Sequence, residues 1–357
     1  MPANDSHWTQ LLEVVDDLRR AQGNALQLLG LGPDERSYRI TASGTHWRVR
    51  DYADQEGGPT VLIVAAPIKR PYIWDIAPSA SAIGYCLRHG VRVHLIEWLP
   101  PRTDDDDVEL NDYADAIANA VAAVAERSDA GAKPFLMGHS LGGTLAAMYA
   151  ALEPGRIQGL VLLASPLSFR RGVSPFGDSL VSVVPRWPCE RGIVPGSFIS
   201  QISTLASPET FLWSRFADAV FSLGDLRASE IHARIERWAL DEVPLAAKMA
   251  AQILEWLYRE DRFCRQTLTL RNKTVGPSRL AVPTLAVANT SDRIAPPDSV
   301  SEFLNAMPAQ YGHLITYAGE TGVCFQHVAL LVGRAAQAML WPEIVSWMKT
   351  GAAKRGR

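Results

Sequence analysis

Pro134-Phe135-Leu136-Met137-Gly138-His139-Ser140-Leu141-Gly142-Gly143-Thr144 is the stretch on which the reading of this chain turns. An apolar run, Pro134 to Met137, leads into Gly138-His139-Ser140-Leu141-Gly142, and an Ala-rich helical run from Thr144 to Leu152 follows at once. A strand, a G-x-S-x-G turn and a helix in immediate succession lift a serine Oγ onto a sharp, strained bend at the end of a sheet. Gly138 and Gly142 flank the serine because a Cβ there would crowd the turn. The helix N-terminus behind Ser140 offers free N–H groups and a partial positive charge, and both favour an oxyanion at that spot. Gly143, Ala146, Ala147 and Ala150 are small enough to let the helix lie close on the sheet.

Upstream of this turn the chain reads as helix, hairpin and then alternating strand and helix. Residues from Trp8 to Leu29 are helical, ending near Gly30-Leu31-Gly32-Pro33. Ser37 to Thr41 and Thr45 to Asp51, joined by Ala42-Ser43-Gly44, form a hairpin signal. Thr60 to Ala66 and Val91 to Trp98 are strands, with a helix from Ser79 to His89 between them. A helix from Asn111 to Arg127 precedes the Pro134 strand. Asp104 to Asp107 could be imagined as a hard-cation site, but acidic residues gather at helix N-termini and a helix follows directly.

Downstream, Ile157 to Ala164 is another buried strand. Residues 167–278 then become mostly helical and rich in aromatics, with Trp187, Trp213, Trp238 and Trp256. Alternation resumes with a strand from Val282 to Ala288, a helix from Pro297 to Ala306, a strand from His313 to Tyr317 and a last helix from Gly333 to Lys349. Alternating elements imply a mostly parallel sheet covered on both faces. The expected organisation is an N-terminal helical segment (1–35), an α/β-hydrolase core (36–166 and 279–350), a helical cap inserted into it (167–278) and a basic tail (351–357).

A serine needs a base to take its proton, and in this fold the chain order is Ser, acid, His. Asp292 follows the strand Leu285 to Ala288 and is the expected acid; Asp298 opens a helix and reads as a capping residue. His327 lies in a loop before the last helix and is the expected base, with Asp292 holding its tautomer. His313 starts a strand, at the wrong end of a parallel sheet for chemistry. His139 is read as packing, or as lining the pocket wall, and not as the base. The two oxyanion donors are expected to be the N–H of Leu141 and, from the loop Ala66-Pro67-Ile68-Lys69-Arg70-Pro71, that of Ile68, whose alternative reading is an apolar side chain turning into the core. Lys69 and Arg70 read as solvated or as an attraction for an anionic acyl-CoA.

The 357 residues, 47% apolar and 20% charged with a formal net charge of −3, supply ample core and argue neither for nucleic acid nor for a membrane surface. Cys86, Cys189, Cys264 and Cys324 lack metal-ligand spacing and read as buried or free thiols in a reducing compartment. The N-terminus has no basic start followed by an apolar run, and no stretch has the length and apolarity of a bilayer span. The expectation is a cytoplasmic protein without cofactor or metal, acting on a small-molecule ester or acyl-CoA-like substrate, with a homodimer as one assembly open to it.

Several of these stretches together resemble polyhydroxyalkanoate synthases. Val61 to Asp75 resembles their oxyanion-loop region, Leu136 to Leu145 their lipase-like box and Leu162 to Leu167 their next strand. Asp292-Arg293-Ile294-Ala295-Pro296 resembles their acid motif, and His327 to Val332 their histidine motif. The likeness covers about 60–170 and 280–350 and is weaker in the cap and the N-terminal segment. It implies the same fold and cap and hydroxyacyl substrates. It also marks two departures: those enzymes use Cys where this chain has Ser140, and commonly His where it has Arg293. An acyl group on serine is an oxygen ester, a poorer donor than a thioester. Hydrolysis of esters or thioesters therefore leads, with synthase-like transfer from Ser140, or binding to granules or to a synthase without catalysis, as alternatives.

Overall fold

In the computed structural model, residues 3–52, 57–102, 105, 107–128, 131–184, 192–320, 322 and 325–355 are described, with side chains from 14 to 351. Asp104, Asp106, Trp187, Cys189, Val323, Cys324 and the tail residues Gly356 and Arg357 lie outside the described residues, as do the side chains of Lys354 and Arg355.

Eight strands form one sheet: β1 (Arg39–Ser43), β2 (Trp47–Asp51), β3 (Thr60–Val64), β4 (Arg92–Trp98), β5 (Phe135–His139), β6 (Gly159–Leu163), β7 (Thr284–Asn289) and β8 (Gly312–Tyr317). Their order is β1-β2-β4-β3-β5-β6-β7-β8. The hairpin β1–β2 pairs antiparallel and β2 runs antiparallel to β4, while all later pairings are parallel. The apolar runs seen in sequence explain the middle of this sheet: β3, β5, β6 and β7 are buried along their whole length, as strands covered on both faces must be.

The helices are α1 (Ala3–Leu26), α2 (Ala82–Arg88), α3 (Leu110–Glu126), α4 (Leu141–Leu152), α5 (Pro175–Val183), α6 (Gly196–Ala206), α7 (Ser214–Ser222), α8 (Leu226–Ala239), α9 (Ala247–Gln252), α10 (Pro297–Asn305), α11 (Ala329–Val332) and α12 (Trp341–Arg355). Every residue of α4 is buried, which its Gly and Ala content permits. The helix begins at Leu141, directly after the serine and not at Thr144 as its Ala-rich run implies.

Between β6 and β7 the described residues contribute no strand to the large sheet. Helices α5 to α9 lie in that stretch. One part differs from the helical reading: Leu268–Leu270 and Lys273–Val275 form a hairpin that lies on α3 and α4. Its turn residues Arg271 and Asn272 have φ of 48° and 60°, the left-handed pair that a two-residue hairpin turn needs. Leu268, Leu270 and Val275 belong to the main core. The end of the expected cap is thus packed as part of the base.

Among the described residues no single helix is long and apolar enough to cross a membrane. None of their His, Cys, Asp and Glu side chains form a group of three able to hold a metal. Asp105 accepts the backbone N–H of Arg102. Asp298 lies in the first turn of α10, whose N-cap is Pro296 and which has no side-chain capping bond; His313 lies exposed at the start of β8.

Candidate active site

The parallel register brings the C-terminal ends of β5, β6 and β7 side by side. His139 pairs with Leu163, and Leu163 with Val287. The chain leaves β5 into Ser140, whose φ of 55° and ψ of −136° are forbidden to most L-residues. The Ser140 N–H is held by the carbonyl of Leu163 at 3.0 Å. The flanking glycines are a steric requirement here. A Cβ on Gly138 would lie 2.5 Å from Cα of Gly143, and one on Gly142 would strike the backbone of Val64 and Ala65. Ser140 is half-buried and heads α4.

Asp292 follows β7 in the turn Thr290-Ser291-Asp292. One carboxylate oxygen accepts the N–H groups of Ile294 at 2.8 Å and Ala295 at 3.3 Å. The other lies 2.6 Å from Nδ1 of His327. Burial pushes this carboxyl up, but His327 and the two backbone donors outweigh it, so its pKa falls below the usual carboxylate value. The carboxylate can only accept, so Nδ1 carries the proton and Nε2 presents its lone pair. That Nε2 is buried and makes no hydrogen bond among the described residues.

His327 sits in a single turn of 3₁₀ helix, Gln326–Val328. Polar contacts fix that turn. Buried Asn289, the last residue of β7, donates Nδ2–H to the carbonyl of Gln326 at 2.7 Å. The Gln326 side chain accepts the N–H of Glu320 at 3.0 Å, and Glu320 accepts from Tyr317 Oη and from the N–H of Ala335. These residues carry no signature in the chain.

His139, the last residue of β5, is buried. Its Nε2 meets the backbone carbonyl of His327 at 2.7 Å, and its ring packs against that of His327, with centroids 4.7 Å apart. Burial drives its pKa down to about 3, so the ring is neutral.

The N–H of Leu141 is the first of α4 and has no acceptor within the helix. The N–H of Ile68 also has no hydrogen bond among the described residues, while its carbonyl accepts from Val243 at 3.2 Å. Ile68 is half-buried, and its side chain packs against the main core. Lys69 differs from its sequence reading. It is neither solvated nor open to a substrate anion: Nζ lies 3.1 Å from Glu242 Oε1 and bonds the carbonyl of Ala239, beside the Trp238 ring. An aromatic cluster could not be read as local in the chain, because it joins Phe169, Tyr258, Phe176, Phe211 and Phe325 by ring contacts of 4.8 to 6.1 Å.

The Hydrolase_4 family model, described as "Serine aminopeptidase, S33", matches residues 106–321, over half of the chain. The chain belongs to this α/β-hydrolase family. Within the α/β-hydrolase, Ser140 and Asp292 fall inside the matched stretch, and Ile68 and His327 outside it. The chain is 28% identical over 355 residues to the poly(3-hydroxyalkanoate) polymerase subunit PhaC of Haloferax mediterranei, covering 95% of this chain and 69% of the relative. It is 29% identical over 302 residues to the subunit of the same name from Haloarcula marismortui, covering 80% of this chain and only 60% of the relative. Solved structures share the fold: a Paleococcus ferrophilus monoacylglycerol lipase has TM-score 0.54 at 17% identity, covering 86% of this chain and 100% of that one. A Thermogutta terrifontis esterase has TM-score 0.50 at 17% identity, covering 87% and 99%.

Proposed function

We propose that this α/β-hydrolase is a serine hydrolase of carboxylic esters or acyl thioesters, working through an acyl-Ser140 intermediate. The observation that carries the reading is the buried His327–Asp292 pair, with Nδ1 protonated and Nε2 unbonded, together with a serine held at positive φ at the end of β5. Nε2 of His327 takes the hydroxyl proton as Oγ attacks the carbonyl carbon. The tetrahedral oxyanion meets the N–H groups of Leu141 and Ile68 and the positive end of α4. Collapse breaks the bond to the leaving alcohol or thiol, which receives that proton from His327. Water repeats the sequence and frees the acid.

The similarity to proteins named polymerase subunits favours hydroxyacyl substrates and supports a second reading, transfer of the acyl group from Ser140 to another hydroxyl. The oxygen nucleophile favours water as acceptor, because an oxygen ester is a weaker acyl donor than a thioester. The cap stretch 167–278, which supplies Phe169, Phe176, Phe211 and Tyr258, is where acyl-chain selection is assigned. A non-catalytic role in binding granules or a synthase is disfavoured by the retention of Ser140, Asp292 and His327 together.

The test uses wild type and Ser140→Ala with p-nitrophenyl butyrate, 3-hydroxybutyryl-CoA and a fluorophosphonate label. The proposal expects labelling at Ser140, free acid as product and loss of both in Ser140→Ala. Polyester or oligomer from 3-hydroxybutyryl-CoA supports transfer. Hydrolysis unchanged by Ser140→Ala overturns the reading, and no labelling of wild type revives the binding role.

A further inference from the structure

We propose that His139 is a positioning residue for His327, one half of a clamp on the two peptide groups that flank it, the other half being Asn289. The inference rests on the catalytic reading of His327 given above.

His327 is joined to the chain by two peptide planes, and each is held by a side chain from a strand that also carries a member of the site. On the N-terminal side, the carbonyl of Gln326 accepts Nδ2–H of Asn289, at the end of β7, at 2.7 Å. On the C-terminal side, the carbonyl of His327 itself accepts from Nε2 of His139, at the end of β5, at 2.7 Å. Asn289 precedes Asp292 by one turn, and His139 directly precedes Ser140. The strands that deliver acid and nucleophile therefore also fix the φ and ψ of the base between them. Each holder is itself fixed. Asn289 Oδ1 accepts the N–H of Ser291 at 2.9 Å, and the His139 ring stands edge-on to Trp74 at 6.5 Å between centroids.

The chemistry of the contact assigns the proton. A carbonyl only accepts, so His139 must hold its proton on Nε2. A ring that stayed protonated at both nitrogens would put a second cation 4.7 Å from the imidazolium formed during catalysis. Burial prevents this by keeping His139 neutral through the working pH range. Loss of the donor would free one of the two peptide planes, and a displacement on the order of 1 Å at a catalytic base lowers turnover about 100-fold.

His139→Gln and His139→Met test the idea as a pair of similar length, one with an N–H donor at the end and one without. His139→Phe keeps a ring but no donor. The expected result is a fall in kcat of about 100-fold for His139→Met and His139→Phe, with KM within about threefold, and recovery to within about tenfold of wild type in His139→Gln. Equal activity of His139→Met and wild type, or equal losses in His139→Gln and His139→Met, overturns the proposal. Should the apolar variants fail to fold, ¹⁵N-histidine spectra of the wild-type protein decide it. His139 must be singly protonated, on Nε2, at pH 5; a proton on Nδ1, or on both nitrogens, overturns the clamp. A wild type that neither hydrolyses esters nor takes the fluorophosphonate overturns the hydrolase reading instead, whatever the His139 variants do.

Discussion

Asp292 gives one carboxylate oxygen to His327 Nδ1, 2.6 Å away, and keeps the other for the N–H groups of Ile294 and Ala295. This division of labour makes Asp292→Asn a sharp test. The amide oxygen of Asn must face the two backbone donors, which leaves its NH₂ facing Nδ1. An NH₂ cannot accept, so the imidazole is driven to the tautomer protonated on Nε2 and cannot take the serine proton. The expected outcome is a loss in kcat of about 10⁴-fold with the fold intact. Steady-state kinetics on p-nitrophenyl butyrate with a melting curve checks it, and a loss under tenfold would remove Asp292 from the mechanism.

Ser140→Cys tests what the nucleophile decides. A thiolate beside His327 forms a thioester, which a hydroxyl acceptor can still attack with useful driving force. Hydrolysis of p-nitrophenyl butyrate should slow, iodoacetamide should inactivate the variant, and 3-hydroxybutyryl-CoA should give a larger share of oligomer relative to free acid. Product analysis by mass spectrometry reads the ratio. An unchanged or smaller oligomer share would mean that the choice of acceptor lies in the surrounding pocket and not in Ser140.

The strands of the sheet were legible because buried parallel strands read as continuous apolar runs, and the serine turn after β5 and the pairing of Asp292 with His327 because chain order and strand ends constrain them. Other features were not legible, for physical reasons that can be named. The hairpin at 268–275 turns on Arg271-Asn272 rather than on a glycine pair, so its turn is silent and its short strands hide in a helical stretch. The helix after the elbow starts at Leu141 because the strained serine itself ends the strand, which the Ala run does not reveal. Lys69 reads as a surface residue until Glu242 approaches it from 173 positions away. The clamp on His327 is likewise made of contacts between distant segments, each chemically ordinary in the chain.

Acid should weaken the fold in a way His139 and His94 predict. An unfolded histidine takes its proton near pH 6.5, whereas burial lowers His139 to about 3 and His94 to about 4. Between those limits the unfolded chain binds the extra protons. The stabilisation is complete above pH 6.5 and is lost as pH falls toward 3, at about 1.4 kcal/mol per pH unit for each such group. Asp261, raised to about 6 by burial, works in the opposite sense. The check is a comparison of urea unfolding at pH 7 and pH 5 for wild type and His139→Gln. The variant should lose less stability across this interval, and parallel losses would show that His139 titrates normally in the folded protein.

The loop that carries Ile68, the proposed second oxyanion donor, is tied to the cap stretch by a buried charge pair, and this gives a prediction about coupling. Glu242 accepts from Lys69, from Arg19 on α1 and from Ser200 on α6, while Val243 and Trp238 bond the carbonyls of Ile68 and Arg70. Burial lowers the Lys69 pKa to about 8 even with Glu242 beside it. Glu242→Ala strands that ammonium, and also frees Arg19, so it should cost about 2 kcal/mol. Lys69→Met in the same chain removes the stranded charge, so the double variant should be more stable than the sum of the two single losses implies. The loop should also loosen at the oxyanion position, so Glu242→Ala should lower kcat more than it raises KM. A double-mutant cycle from urea unfolding, paired with ester kinetics, reads both effects. Additive losses would mean that Lys69 and Glu242 act independently. An unchanged kcat in a folded Glu242→Ala protein would detach this latch from the placement of Ile68.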